Sequence, residues 1–237
     1  MADLRKREQA AIEAVAKHFS ATLEPARAGE RDACLAIEGK RVAVAVVAIK
    51  GKIVERGGAA KPRLRFDKVV LRLIGFLRAA LREIVPDGQT IIVTVTAPIR
   101  LPGKTASALE DAIRGRLARK SAKVEIEDTI HANQVRVRLV KGVPRGTSKV
   151  IGFVHNPDTN PDILLRLTQS LLEHVGAAAG KRAARNVTGD RWLVVASEDG
   201  ASQIETYRHV YSQLGMPTDF RKVLLVLSGG RVDSLAG

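Results

Sequence analysis

Five cations fall along one face of an apolar helical pattern, in a row whose spacing suits contact with successive phosphates of a nucleic acid. The pattern predicts a helix over residues 66–85, in which Val69, Leu73 and Leu77 share one arc at about 100° per residue. The opposite arc carries Arg65, Lys68, Arg72, Arg78 and Arg82. Contacts between such cations and phosphates depend on salt and not on base sequence. The alternative interpretation is a solvated helix face whose long side-chain stems cover apolar surface.

Two further features bear on nucleic-acid binding. Arg136 and Arg138 alternate with apolar residues in a predicted hairpin strand, a pattern that a groove-reading β-ribbon would need. A cross-strand ion pair between Glu127 and Arg138 is the simpler interpretation. Aromatic residues make up only 3% of the chain, which argues against a platform of exposed rings for stacking single-stranded bases.

Polar side chains also follow two apolar strand patterns. His155 comes directly after the strand predicted at residues 150–154, and Glu198 and Asp199 follow the strand at residues 192–197. Ligands of open α/β sheets bind at the carboxyl ends of strands, so these ends indicate a candidate small-molecule site. The residues after His155 include Asn, Pro and Asp, which are equally typical of ordinary turns.

Other motifs exclude several kinds of site. The stretch Pro102-Gly103-Lys104-Thr105 lies between a strand and a helix, but Pro98 stands where a phosphate loop needs its first glycine. The five histidines share no ligand spacing on a helix face, so no metal cluster is predicted from them. Cys34 is the only cysteine, which excludes an intramolecular disulfide and a cysteine-based zinc site.

The charge balance favours an anionic partner. The chain holds 39 Lys and Arg against 25 Asp and Glu, a net charge of +14. Nucleic acid, an acidic membrane surface and an acidic protein all fit this excess, as does a generally basic proteome. No apolar run approaches the roughly 20 residues that cross a bilayer, and residues 1–8 are charged without a signal core. We therefore expect a soluble, cytoplasmic protein without a membrane partner.

The elements that must position these residues alternate between helix and strand. Up to residue 96 the predicted order is helix, three strands, helix and strand. Their ranges are 5–19, 22–24, 32–38, 41–49, 66–85 and 90–96. Residues 97–150 are predicted to be an inserted helix and β-hairpin, and residues 151–237 a βαβαβ continuation of the same domain. Because several strands are apolar on both faces, the sequence predicts an α/β fold with a mixed central sheet flanked by helices.

This αβββαβ order over residues 5–96 resembles the core of the PD-(D/E)XK nuclease superfamily. Asp32 opens the second predicted strand, as the Pro-Asp motif does in that superfamily. The Glu-x-Lys motif of the third strand is degenerate. Ala45-Val46-Val47 stands at the usual distance, and Ala48-Ile49-Lys50 stands at the strand end. Glu38-Gly39-Lys40 fits the letters of the motif but lies in a predicted turn.

The resemblance implies how an active member would work. A divalent metal such as Mg²⁺ would lie between Asp32 and a second carboxylate, and Lys50 would serve the attacking water. Asp32 and Lys50 are thus the catalytic candidates, with Asp32 also the metal ligand. Some members take the missing acid from a neighbouring helix, and Glu8, Glu13 and Glu83 are conceivable donors here.

These observations together predict a basic, nucleic-acid-interacting protein with a degenerate restriction-endonuclease-like core, weakly active or inactive as a nuclease. Two alternatives stay open. One is a non-catalytic module that binds an acidic protein or a second copy of itself as a homo-oligomer. The other is a small-molecule enzyme that uses the strand ends near His155 and Glu198.

Overall fold

The computed structural model describes residues 2–25, 32–49, 68–119, 125–155, 162–180, 190–216 and 218–237. In these ranges the helices are α1 (Ala2–His18), α2 (Lys68–Leu81), α3 (Pro102–Ala118), α4 (Asp162–Gly180) and α5 (Ile204–Leu214). The strands are β1 (Thr22–Glu24), β2 (Ala33–Ile37), β3 (Lys40–Ala48), β4 (Gln89–Thr96), β5 (Glu125–Ile130), β6 (Asn133–Lys141), β7 (Val150–His155), β8 (Asp190–Ala196), β9 (Lys222–Val226) and β10 (Val232–Ala236).

The chain divides into two compact units. Unit 1 comprises Met1–Ile53, Ser170–Arg208 and Thr218–Gly237, and unit 2 comprises Val54–Gln169 and His209–Pro217. Unit 2 is therefore mainly a single insertion into the sequence of unit 1, and each unit has its own sheet.

The sheet of unit 1 has the strand order β1-β2-β3-β8-β9-β10. β1, β2 and β3 are antiparallel, whereas β3, β8 and β9 run parallel to one another. Glu38 and Gly39 make the tight turn between β2 and β3, and both have a positive φ, of 48° and 75°. The glycine adopts this angle without the steric cost that a Cβ atom adds. Parallel β3, β8 and β9 bring their carboxyl ends to one edge of the sheet.

Helix α1 covers one face of this sheet because its apolar residues recur at helical spacing. Ala11, Ile12 and Val15 are buried in a core cluster with Val44 of β3 and Trp192 of β8. Side chains two residues apart along a strand point to the same face of the sheet, so alternate residues of β3 and of β8 contribute to this cluster. This packing places Arg7 and Ala10 of α1 beside the carboxyl ends of the parallel strands, where they line a pocket.

The sheet of unit 2 has the strand order β5-β6-β4-β7, with β4 antiparallel to β6 and parallel to β7. Helices α2 and α3 contribute Leu77 and Leu109 to the core against the sheet, both with no exposed surface. Gly152 of β7 allows α2 to approach closely, since a Cβ atom there would lie 1.9 Å from Ile74 Cδ1.

The predicted α/β class is confirmed, but the strands divide between two mixed sheets where the sequence predicted a single central one. The fourth strand of the predicted αβββαβ core, β4, pairs with β6 and β7 in unit 2. β8 is the strand that pairs in parallel with β3, after the helix α4. The insertion is also longer than the predicted 97–150. In the described part of the chain, no helix has the length and apolar character that crossing a membrane requires.

Candidate functional sites

Asp32, the predicted metal ligand, lies against a buried arginine. Arg191 Nε donates to Asp32 Oδ2 at 3.0 Å, and Arg191 Nη1 donates to both carboxylate oxygens of Asp219 at 3.1 and 3.2 Å. Nη2 donates to the carbonyl of Ala178 at 3.3 Å, and the guanidinium stacks 4.6 Å from the ring centre of Phe220. The Arg191 side chain is only 6% exposed. The cation that Asp32 compensates in this fold is thus a guanidinium.

The rest of the predicted nuclease motif is distributed as follows. Ala45 is buried in β3 where the resemblance places the second acid, and Lys50 lies outside the described residues. Glu13 accepts a hydrogen bond from Gln9 on the exposed side of α1, and Glu83 belongs to unit 2. Among the described residues there is no group of three His, Cys, Asp or Glu side chains that could hold a metal ion.

The predicted cationic stripe is only partly exposed. Arg72 and Arg82 lie on the surface of unit 2, and Arg82 is 3.7 Å from the equally exposed Glu83. Arg65 falls outside the described residues, and Lys68 is described only as the first residue of α2. Two described cations of the stripe can therefore meet an anion from solution.

Arg78 is the exception in the stripe, because its side chain belongs to the fold of unit 2. Its Nε donates to the carbonyl of Val150 at 2.9 Å, and its Nη2 donates to Gln213 Oε1 at 2.9 Å. Burial lowers the pKa of this guanidinium below its usual range. Arg78 thus connects α2 with β7 and with α5. Its N–H donors bind two oxygen acceptors of the protein, where the sequence predicted that they would bind a phosphate.

The exposed face of α2 carries large apolar side chains that the sequence analysis did not single out. Leu71 is 52% exposed and Phe76 is 44% exposed. At about 100° per residue, these two residues and Arg72 fall within an arc of roughly 140°. We call the surface formed by Leu71, Arg72, Phe76 and Arg82 the α2 face. The signal was present in the sequence, since Leu71 and Phe76 fall outside the apolar arc that Leu73 and Leu77 define.

The arginines of the β5–β6 hairpin form cross-strand ion pairs. Arg136 pairs with Glu127 and with Asp162, and Arg138 pairs with Glu125. The predicted cross-strand ion pairing is present, but Glu127 pairs with Arg136 and not with Arg138, which is a shift of two residues in the strand register. The reason is a two-residue turn at His131 and Ala132, both with positive φ, which places Glu127 opposite Arg136.

The two polar strand ends lie in different sheets. His155 ends β7 in unit 2, is 4% exposed, and has Nε2 2.9 Å from Thr96 Oγ1 of the adjacent β4. Glu198 follows β8 in unit 1 and forms an ion pair with Arg7 of α1. The sequence signal that placed each residue at a strand end was right, but the two ends belong to different sheets.

The charge of the protein is unevenly divided. Unit 2 holds 21 Lys and Arg and 11 Asp and Glu, a difference of 21 − 11 = +10. Unit 1 holds 18 Lys and Arg and 14 Asp and Glu, a difference of 18 − 14 = +4. Most of the net positive charge therefore belongs to the unit that carries the α2 face.

Comparison of the chain with protein-family models, curated proteins and solved structures finds no match. The function is therefore inferred from the sites themselves.

Proposed function

We propose that the protein binds nucleic acid through unit 2 and that its nuclease-like unit 1 does not cleave it. The observation that carries the binding proposal is the α2 face, where Arg72 and the ring of Phe76 are exposed on α2 and Arg82 is exposed directly after the helix ends. Cations hold phosphates without regard to sequence, and an exposed ring stacks on any base. The net charge of +10 in unit 2 supports this proposal over a neutral docking surface.

The proposed nuclease-like character of unit 1 is supported by its topology. When residues 54–169 of unit 2 are left out, the elements of unit 1 follow the order α1-β1-β2-β3, then the part of α4 from Ser170 onward, then β8. The first three strands are antiparallel, and β8 is parallel to β3. This is an αβββαβ order in one sheet, which is what the resemblance implies. Asp32 keeps its place before β2, while Arg191 of β8 supplies the positive charge next to it. We infer a core in which an arginine has replaced the metal, so that the water-activating ion is missing.

The experiment that tests binding is a titration of labelled single-stranded DNA, duplex DNA and structured RNA across a salt series, with chelator present. We expect single strands to bind more tightly than duplex, because the ring of Phe76 can stack only on an unpaired base. The affinity should fall on a log–log plot with a slope of about −0.7 per phosphate contact for single strands.

Matched variants locate the surface. Phe76→Ala should weaken single-strand binding by about 1–3 kcal/mol without changing the salt slope, since base stacking involves no counterion release. Arg72→Ala combined with Arg82→Ala should make the slope about 1.4 units shallower, because two phosphate contacts are removed. Arg231→Ala, an exposed cation of unit 1, is the control and should leave both quantities unchanged. Equal effects from all three changes would show that binding depends on the overall positive charge and not on the α2 face, and would contradict the proposal.

A second candidate function is a protein-docking module, which the exposure of Leu71 and Phe76 on one helix favours. An apolar pair on a polar rim is also what a protein partner or a second copy would cover. Size measurements decide between the two. A stable oligomer that Phe76→Ala dissociates, together with no measurable nucleic-acid binding, would replace the first proposal with this one.

Cleavage is tested on the same substrates with Mg²⁺ and with Mn²⁺. We expect none in either metal. Cleavage that Asp32→Asn abolishes would show that Asp32 binds a metal despite its pairing with Arg191, and would overturn the inactive assignment.

A further inference from the structure

Unit 1 contains a pocket at the carboxyl ends of its three parallel strands. The pocket has a volume of about 340 Å³, within the roughly 300–1,000 Å³ typical of small-ligand sites. The first turns of α1 form one side, Ile49 after β3 and Ala196 of β8 lie at the strand ends, and residues 226–230 close the far side. It lies within unit 1, and the α2 face of unit 2 contributes no residue to it.

Small residues line much of the hollow. Ala10 and Ala11 of α1 contribute to its wall, as do Gly229 and Gly230 of the loop after β9. Both glycines have a positive φ, of 80° and 78°, which residues with a Cβ atom adopt only with strain. A Cβ atom on Gly229 would meet nothing within 4 Å, so the glycine is required by the backbone turn and not by crowding. The volume that these short side chains leave open is large enough for a nucleoside.

The rim of the pocket carries one ion pair, between Arg7 and Glu198. The two side chains are 34% and 33% exposed, so both can be reached from the pocket and from solvent. A carboxylate has two oxygens with about four acceptor positions, and an arginine orients it without using all of them. Glu198 can therefore accept hydrogen bonds from a ligand while Arg7 holds its side chain in place.

The chain on either side of Glu198 is fixed by a buried hydrogen-bond network. Tyr207 donates to Asp199 Oδ2 at 2.7 Å, and Ser197 Oγ lies 2.7 Å from the Tyr207 hydroxyl and 3.1 Å from Asp199 Oδ2. Asp199 N–H donates back to Ser197 Oγ at 3.1 Å, and Ser228 N–H donates to the Asp199 carbonyl at 3.0 Å. The segments after β8 and after β9 are thus held together before any ligand arrives, which lowers the entropy cost of binding.

The polar side chains of this network are engaged with one another. Burial raises the pKa of Tyr207, so its phenol stays protonated and serves as a donor to Asp199. The hydroxyl of Ser197 accepts from Asp199 N–H and lies within hydrogen-bond distance of Asp199 Oδ2 and of the Tyr207 hydroxyl. We therefore assign this network to holding the wall of the pocket in place.

We propose that the pocket binds a purine nucleoside with two adjacent N–H donors, which means a guanine base whose N1–H and 2-amino group face Glu198. The base would lie in the pocket whose wall includes Ala10 and Gly229. A carboxylate is the side chain that matches two neighbouring donors, and it discriminates against a base edge that presents an acceptor there. The inference is independent of nucleic-acid binding by unit 2.

The test is a calorimetric titration of the full chain with guanosine, inosine and adenosine. Guanosine should bind at least about tenfold more tightly than adenosine, a difference of about 1.4 kcal/mol. Inosine lacks the 2-amino group and should fall between them. Guanosine monophosphate and a short guanine-containing oligonucleotide are added to distinguish a free nucleoside from a base within a strand.

Two variants and a control make the assignment specific. Glu198→Gln should weaken guanosine binding at least about tenfold and reduce its preference over adenosine. Ala10→Leu, at an exposed helical position, should fill the pocket and abolish binding while the protein stays folded. Glu205→Gln on α5, which is 80% exposed, is the matched control and should bind like the parent. No binding of any of the three nucleosides, or binding that neither variant changes, would overturn the proposal.

Discussion

Arg191 shows at the scale of one residue what Asp32 does in this fold. Its guanidinium is buried, and it is satisfied by Asp32, Asp219, the Ala178 carbonyl and the ring of Phe220. A buried charge is costly unless paired, so removing a partner destabilises the fold by more than the pair itself contributes. Asp32 therefore has a structural role as the partner of Arg191.

The two carboxylates that pair with Arg191 should differ in their effect. Asp32 is 20% exposed and Asp219 is 58% exposed. We expect Asp32→Asn to lower the free energy of unfolding by about 1.5–3 kcal/mol, the range for hydrogen bonds to charged groups. Asp219→Asn should cost at most about 1 kcal/mol, because solvent screens the exposed pair. Urea unfolding of both variants measures this, and equal costs would contradict the structural role of Asp32.

His209 gives unit 2 a dependence on pH. Its ring lies edge-on to Phe153 with 5.6 Å between ring centres, and burial lowers its pKa from the usual 6.5. Since the unfolded chain takes up a proton at higher pH than the folded chain, stability is present above pH 6.5 and is lost as pH falls below it. Unfolding at neutral and mildly acidic pH should show a smaller loss in His209→Gln than in the parent. The exposed His131→Gln is the control for the substitution, and an unchanged loss in His209→Gln would refute this assignment.

At the scale of elements, the architecture depends on which strands pair with each other and not only on which strands are present. Among the described elements, three strands that are buried on both faces follow a helix: β4 after α2, β8 after α4 and β9 after α5. By sequence pattern, each strand and its helix could supply the last two elements of the order helix, three strands, helix and strand. β8 pairs with β3, while β4 joins the β5–β6 hairpin and β7 in a second sheet. The hydrophobic pattern of a strand predicts that both of its faces are buried, but it does not predict which strand pairs with it.

The contact between α2 and β7 is tested at Gly152. Gly152→Ala would put a Cβ atom 1.9 Å from Ile74 Cδ1 and 2.3 Å from its Cγ1, in a core where Ile74 is 4% exposed. We expect a loss of about 1–3 kcal/mol from overpacking. Gly115→Ala in α3 is the matched control, since its Cβ atom would meet nothing within 4 Å. It should stabilise the protein by about 0.5–1 kcal/mol through helix propensity. Thermal or urea unfolding of both variants decides.

At the scale of the whole molecule, charge and pocket belong to different units. Unit 2 holds the larger share of the positive charge and the α2 face, while the pocket of unit 1 contains a paired Arg7 and Glu198. The proposed binding of nucleic acid and the proposed binding of a nucleoside therefore rest on different residues in different units. The two proposals therefore fail separately, since Phe76→Ala should leave nucleoside binding intact and Glu198→Gln should leave strand binding intact.

Divalent metal should have no effect on the stability of the full chain. A metal bound to the folded state raises the unfolding temperature by mass action, in proportion to its occupancy. Because Asp32 is paired with Arg191, we expect the same unfolding temperature with millimolar Mg²⁺ and with chelator. A rise in Mg²⁺ that disappears in Asp32→Asn would identify a metal site at this position and contradict the proposed replacement.

The sequence by itself determined the α/β class, the positions of most helices and strands, and the ends of strands at which polar residues gather. These follow from local patterns, such as the helical spacing of Leu73 and Leu77 and the apolar run in β3. It also placed Asp32 at the start of the second strand, and it contains the excess of positive charge. Both are properties of residue type and order alone.

Only the tertiary structure decided what these residues meet. Arg191 lies 159 residues from Asp32 in sequence, and Arg7 lies far from Glu198, so no local pattern relates them. The same holds for Arg78, which the helical pattern placed on a polar face and which instead bonds to Val150 and Gln213. Such pairings depend on which strands become neighbours in the folded protein. Several strands have similar hydrophobic patterns, so the sequence pattern alone does not determine which of them pair, and long-range packing does.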